Sequence, residues 1–521
     1  MVQPHGLVSK LVARCRLREL VQTWIFARED MAKMTDRRGN FTRRGLLKAG
    51  GTMAAVAAVP ARAKAAAAPP GKLITTLSTY MAEAANKKLP DAVQEKSKQM
   101  ILDTLAAMIS GAQLPPGKFA IGFARAYQGD KIATIPASNL LCGPIEAALV
   151  NGMLAHSDET DDTHPPSQSH PGCSVVPSAL AAGEKFGASG ERFLRAVALG
   201  YDVGPRVTAT LGKLQYMVAT HRSTHAISGT FGSAASAACM AGLSAQQMRW
   251  LLSYTAQSAS GLASWQRDTQ HIEKSFDFGG MPARNGITAA LLVQAGGTAL
   301  DDIFSGPDNF LEAFKPMNDP SMLIEALGER YEIMRTDVKK WTVGAPIQAP
   351  LDAMANLMQK NRFTADQVQK VAVRVATDEA TIVDNREIPD ISLQHLMAVM
   401  LVDKTVTFKT AHDEARMKDP AVLKERAKVQ LVRDGELEKL MPKRVAVVEL
   451  TLSDGKMLSE RVETVRGTAG NPMTREEMIA KARDLIVPVL GADKFQKLSD
   501  KIFALESVKN VAELRPLLQT S

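Results

Sequence analysis

The chain has 521 residues, 45% of them apolar, and a formal charge of +8. Its length exceeds what one small core can organise, so two or more domains are predicted. The charge is local: residues 1–63 hold 12 basic and 4 acidic side chains, a net of +8, and residues 64–521 hold 51 of each. A neutral body gives no electrostatic footprint for nucleic acid.

The N-terminal stretch predicts an export signal over residues 1–63. Phe41-Thr42-Arg43-Arg44-Gly45-Leu46-Leu47-Lys48 has the twin-arginine form, and an Ala/Gly-rich run from Ala49 to Val59 follows. Ala61-Arg62-Ala63 has the small-residue form of a cleavage site, with Ala63-Lys64-Ala65 as the alternative. The apolar run is too short to span a bilayer. A periplasmic protein with no membrane contact after signal removal is expected. Cys15, Cys142, Cys173 and Cys239 are scattered, and suit neither a disulfide framework nor a metal site.

From Leu73 to about Leu327 long apolar-periodic segments alternate with short Gly/Pro breaks, which predicts helices. Gln94–Gly111 and Val175–Phe186 are two of them. Asn139–Leu154 is apolar and small-residue-rich, and is predicted as a buried helix. Ser244 to Gln247 reads as a capping box that opens a helix through Ala259. Past Tyr331 the period changes. Lys370–Ala376, Val429–Val432, Arg444–Leu452 and Met457–Val465 alternate as strands do, with a hairpin turn at Asp454-Gly455. Leu351–Gln359 and Ile391–Val402 read as helices between them. Thr474 to Glu477 is a second capping box, and helix is predicted onward to Leu518. The expected fold is mostly α: a large helical domain over residues 72–335, an α/β lid over 336–469, and C-terminal helices over 470–521 that pack back on the first domain.

The chemistry concentrates in residues 151–172. His156, Asp158, Glu159, Asp161, Asp162, Thr163, His164 and His170 fall in this one run, and five of the nine histidines lie within residues 156–225. Histidine and carboxylate move protons near neutral pH. Three further stretches carry bases and cations: His221-Arg222-Ser223-Thr224-His225, Trp265 through Lys274 to Arg284, and Lys339-Lys340-Trp341 to Gln348. Together they suit an anionic small molecule and removal of a proton next to a carboxylate. Arg222, Arg267, His271 and Arg284 are local candidates for selecting the substrate.

These stretches resemble the MmgE/PrpD family, which contains 2-methylcitrate dehydratases and cis-aconitate decarboxylases. The resemblance runs through Asn151-Gly152, Asp161-Asp162-Thr163-His164, His170-Pro171-Gly172, Gly229-Thr230-Phe231-Gly232, and the ending from Asp454-Gly455 to Asn471-Pro472. It implies a homodimer and cofactor-free lyase or isomerase chemistry between a helical domain and a lid, on a small di- or tricarboxylate. It implies His170 or His225 as the base, with Glu159, Asp161 and Thr163 beside it. Lys274 takes the position of the family lysine that holds a substrate carboxylate. Asp162, His164, His221, Arg284 and Gln348 complete the expected substrate contacts, and no metal is expected. The chain departs from the pattern where Glu159 replaces an Asp, where Asp277-Phe278 stand in place of a histidine, and where Gln348 and Pro350 stand near an expected lid histidine. An epimerase outcome, or an exported binding relative without turnover, are the alternatives.

Overall fold

The computed structural model describes residues 69–520. The expected export signal, with Arg43-Arg44 and both candidate cleavage positions, lies outside the described residues. The described chain is mostly helical with small sheets, the class that the periodicity implies. No helix among the described residues is long and apolar enough to cross a membrane.

The first core is built on α1 (Lys72–Glu83), α2 (Asp91–Gly111), α3 (Pro144–Ala155), α4 (Gly172–Phe186), α5 (Gly190–Leu211), α6 (Thr224–Ala241), α7 (Ala245–Ser258) and α8 (Met281–Gln294). Met100, Ile101, Leu102, Leu105, Met108 and Ile109 of α2 are all fully buried. The C-terminal half of α2, from Met100 to Gly111, is thus buried on every side and sits in the middle of the core. The start of α3 falls at Pro144 rather than Asn139, because Leu141–Cys142 pair antiparallel with Ala133–Thr134. Proline suits the first helical turn, where its missing N–H is not needed. Both halves of the Ser244–Gln247 capping box are made at α7. Helices α5 and α6 cross closely at glycine. A Cβ on Gly204 would stand 2.3 Å from the Ser228 carbonyl oxygen, and one on Gly232 would stand 2.7 Å from that of Gly200.

The second core holds α9 (Gln348–Lys360), α10 (Leu393–Asp403) and a four-stranded sheet of β1 (Val368–Ala376), β2 (Val429–Asp434), β3 (Ala446–Leu452) and β4 (Met457–Val462). The order is β2-β1-β3-β4, with β1 and β2 parallel and the other pairs antiparallel. Val373 faces Leu431 on one side and Val448 on the other. Burial alternates along β3, so one face of the sheet packs on the helices. Gly455 turns the β3–β4 hairpin at φ 83°. Helices α11 (Arg475–Leu490) and α12 (Ala492–Phe503) belong to the first core through Met478, Leu485, Phe495 and Leu498.

Two buried ion pairs tie distant segments to the run 156–163. Lys481 of α11 lies 2.6 Å from Asp103 of α2, and also donates to the Thr160 carbonyl at 3.0 Å. His412, from the second core, lies 2.8 Å from Asp158 and 3.8 Å from Asp390. Its Nδ1 donates to the Phe408 carbonyl at 2.8 Å. Burial alone would lower the His412 pKa, but the hydrogen bond and charge of Asp158, with Asp390, outweigh it and hold the group up to about 9.

Replacing Lys481 by Met leaves Asp103 buried without its cation. It is expected to cost about 3 kcal/mol in a urea titration, with much of that recovered in the K481M/D103L double variant. The His412–Asp158 pair contributes stability that is full below the unfolded histidine pKa of ~6.5 and is lost as pH rises through about 9. Thermal unfolding between pH 7 and 9.5 should show this slope in the parent chain and not in His412→Gln.

Candidate active site

Helix α3 ends at His156, and the chain then turns under the N-terminus of α4. Residues 156–162 are all buried. Such a polar run stays dry only if its groups find partners. Asp158 accepts from the backbone N–H of Thr160 at 3.0 Å and from its hydroxyl at 2.5 Å. Asp162 accepts from the Gly172 N–H at 3.1 Å and from the Tyr201 hydroxyl at 2.5 Å. Burial and the neighbouring Asp161 push Asp162 up to about 7.

Asp161 is the hub. His156 Nδ1 lies 2.9 Å from its Oδ2, and His170 Nδ1 lies 3.2 Å from the same oxygen. Lys339 Nζ approaches Oδ1 at 3.7 Å. Burial would raise the Asp161 pKa, but the two imidazoles outweigh it and hold the carboxyl well below the usual range. Burial pushes His170 down to about 4 in spite of Asp161. His170 is therefore neutral at neutral pH. With Nδ1–H directed at the carboxylate, Nε2 is the atom left to accept a proton. The side chain of His170 is 13% exposed, against 1% for Asp161.

Phe278 organises the imidazoles. His225 stacks on its ring at 4.0 Å between centroids and His156 at 4.4 Å, and His170 lies at 5.3 Å. His170 and His225 are 5.2 Å apart, and His271 is 5.1 Å from His156. Burial, then neighbouring cationic or imidazole groups, drive both His225 and His271 well below the ordinary histidine pKa. Phe278 reaches this place because the π turn Phe276–Gly280 lies hard against α3. A Cβ on Gly279 would stand 2.0 Å from the Gly152 carbonyl oxygen. Only glycine allows that approach.

A cationic edge completes the cluster. Glu159 bonds Lys274 through Oε1, and its Oε2 lies 3.4 Å from Lys339 Nζ. Burial opposes ionisation of Glu159, but Lys274 and Lys339 hold its pKa well below the usual carboxylate range. Lys274 Nζ also sits 5.3 Å from the Phe278 ring centre and 5.5 Å from that of Trp265. His156, Asp161 and Cys173 bring three ligand-type atoms within 4.8 Å of one another. The Cys173 thiol is pushed well above its usual pKa by burial and by the charges of Asp161 and Asp162, and Asp161 is already shared between two imidazoles. That donor set suits a hydrogen-bonded cluster better than a thiolate ligand.

Of the residues expected from the sequence, His170, His225, Glu159, Asp161 and Lys274 meet here. The others are placed elsewhere. His164 turns away to Ser167 at 2.7 Å and Glu332 at 3.2 Å, a buried structural pairing. Thr163 exchanges backbone hydrogen bonds with Asp337. Asp162 anchors Gly172 and Tyr201 rather than a ligand. His221 is exposed and closes the helix Lys213–Thr220 at φ 58°. Arg284 forks onto Asn285 at 3.0 and 3.2 Å. Gln348 spends both ends of its amide on the Trp341 and Val343 backbone. His156, Lys339 and Phe278 join the cluster without having been assigned a site role, and so does His271, expected only as a local candidate for selecting the substrate. His156 opens the titratable run and His271 stands three residues before Lys274, so both carried a local signal. Lys339 opens the last of the cation-bearing stretches, but it is 180 residues from Glu159 and nothing local pairs the two. A polar cavity of about 290 Å³ lies apart from the histidines, among Lys340, Asp352, Arg461, Glu463, Arg466 and Glu477. Lys340, Arg461 and Arg466 are each already paired there, with Asp352, Glu463 and Glu477 respectively.

A cis-aconitate decarboxylase-like protein of Aspergillus oryzae is 24% identical over 482 residues, covering 86% of this chain and 98% of its own length. Cis-aconitate decarboxylases of Aspergillus terreus and Homo sapiens are 24% and 26% identical, each over 83% of this chain and 93% and 91% of their own. The MmgE/PrpD N-terminal domain matches residues 75–323, and the MmgE/PrpD C-terminal domain matches residues 341–505. The two domain matches, in this order and over both hydrophobic cores, show that the chain belongs to the MmgE/PrpD family.

Proposed function

We propose that this protein is a lyase that removes a proton alpha to a carboxylate of a small organic acid. The observation that carries the reading is His170: an uncharged imidazole with Nδ1 on Asp161 and Nε2 left to take a proton. An orienting carboxylate fixes the tautomer and steadies the imidazolium that forms. Lys274 and Lys339 stand beside it and stabilise negative charge that develops on the substrate carboxylate. The cis-aconitate decarboxylase relatives support lyase chemistry. In a dehydratase the electron pair left by that proton expels water from the neighbouring carbon; in a decarboxylase carbon dioxide departs and leaves its electron pair on carbon, so the site must deliver a proton there, and the products distinguish the two.

A second reading has one observation in its favour. His170 and His225 are both driven towards the neutral form and lie 5.2 Å apart. Two bases can remove and return a proton on different sides, which gives an epimerase. The reading also includes export through the twin-arginine route to the periplasm, supported by Arg43-Arg44 and the Ala-rich run, and a homodimer, supported by the family resemblance.

Proton NMR in D₂O with a panel of small carboxylic acids tests the reaction. New alkene signals establish a lyase, and loss of an alpha-proton signal without product favours the epimerase. No exchange with any acid would remove both. His170→Ala is expected to lower the exchange rate by about 10²-fold or more, and an unchanged rate would discard His170 as the base. The base works unprotonated, so kcat/KM should rise with pH through about 4 and level off towards neutrality. A rise centred near 6.5 would mean that an ordinary, water-exposed histidine carries the reaction.

A further inference from the structure

We propose that Glu159 is a built-in carboxylate that sets the charge class of the substrate: by occupying the lysine pair, it makes the site take a monocarboxylate in preference to a di- or tricarboxylate. The inference rests on the reading of His170 and its lysines as a carboxylate-processing site, and it departs from the di- or tricarboxylate expected from the sequence.

The argument is a count of buried charge. Lys274 and Lys339 are the cations beside His170, and both face Glu159. Lys339 also faces Asp161. Two ammonium groups therefore meet two carboxylates before any substrate arrives. His412 adds a cation near the run, and it is matched by Asp158 at 2.8 Å. The arginines that the sequence placed near the site do not reach it. Arg284 lies on Asn285, Arg222 stacks over Phe314 at 4.5 Å, and Arg267 is exposed. Burial holds His170, His225 and His271 uncharged at neutral pH, and the fourth imidazole, His156, is taken up by Asp161 at 2.9 Å. One incoming carboxylate can share the three donors of Lys274 with Glu159. A second or third meets no unmatched cation among these groups, in surroundings where an unpaired ion is costly.

The length of Glu159 makes this possible. Its two oxygens reach different lysines, Lys274 on the segment before the π turn and Lys339 on the connection into the second core. An aspartate at this position is one methylene shorter, and spanning both ammonium groups needs that extra reach. The substitution of Glu for the Asp of the family pattern thus falls on the side chain that neutralises the cationic edge.

The test is binding of three saturated probes, butyrate, glutarate and tricarballylate, to the full chain by titration calorimetry. The parent chain is expected to bind butyrate at least as tightly as the other two. Glu159→Gln removes one negative charge a few ångströms from the lysines, and should improve glutarate relative to butyrate by about tenfold or more. Glu159→Asp keeps the charge but cannot span both lysines, and should shift the ratio the same way by a smaller factor; unchanged thermal unfolding of both variants guards against a folding defect. Tenfold tighter binding of glutarate or tricarballylate by the parent, an unchanged ratio in Glu159→Gln, or no binding of any probe by either protein would overturn the proposal. Proton exchange in D₂O separates this from the reading beneath it. A charge preference without exchange on any acid removes the base assignment alone. Exchange with a preference for tricarboxylates removes the Glu159 assignment alone.

Discussion

Asp161 is a carboxylate sealed from water, and an isolated ion in that setting is costly by several kcal/mol. The local architecture follows from compensating it. Two imidazoles donate to it, a lysine stands within 4 Å, and the run that carries it is bent so that these groups arrive from different segments. His156 comes from the end of α3, His170 from the lead-in to α4, and Lys339 from the connection between the two cores. A buried carboxylate of this kind keeps its charge only while those partners stay in place.

The same constraint sets the character of the base. Desolvation pulls His170 down and Asp161 pulls it up, and desolvation wins. Phe278 contributes to that outcome, because an apolar ring against three imidazoles displaces water that would solvate their charged forms. The ring depends in turn on two glycines meeting across α3 and the π turn. A backbone contact with no chemistry of its own thus governs the proton affinity of the cluster. Where the resemblance leads one to expect a histidine, this chain has Asp277-Phe278. Asp277 is taken up at 2.5 Å by the Ser223 hydroxyl at the start of α6, leaving Phe278 to face the imidazoles.

Much of this was legible in the sequence, and the boundary is instructive. The run 156–170 advertises itself by density of titratable groups, and the hairpin, the caps and the strand alternation have local causes. What is illegible is direction. His164 and His170 sit six residues apart with the same chemistry, yet one faces Glu332 and the other Asp161. The difference comes from the 3₁₀ turn Pro165–Ser167 and the Thr163–Asp337 pairing, both tertiary outcomes. Gln348 looks like a polar residue offered to a ligand, but the backbone of Trp341 and Val343 claims it because that turn is buried. Lys339 could be assigned only once residues far apart in the chain were brought together.

Several contacts at the junction of the two cores end on the same short run. Asp337 pairs with Thr163, Lys339 reaches Glu159 and Asp161, and His412 reaches Asp158. Val338 belongs to the first core and Trp341 to the second, so Lys339 stands on the seam. Any separation of the cores at this seam would take a cation from Asp161 and another from Asp158. Each carboxylate would then be drawn to recover its charge balance from protons or water. Access to the cluster and the protonation of its groups are therefore one electrostatic problem, with the run 158–163 as the place where both are decided.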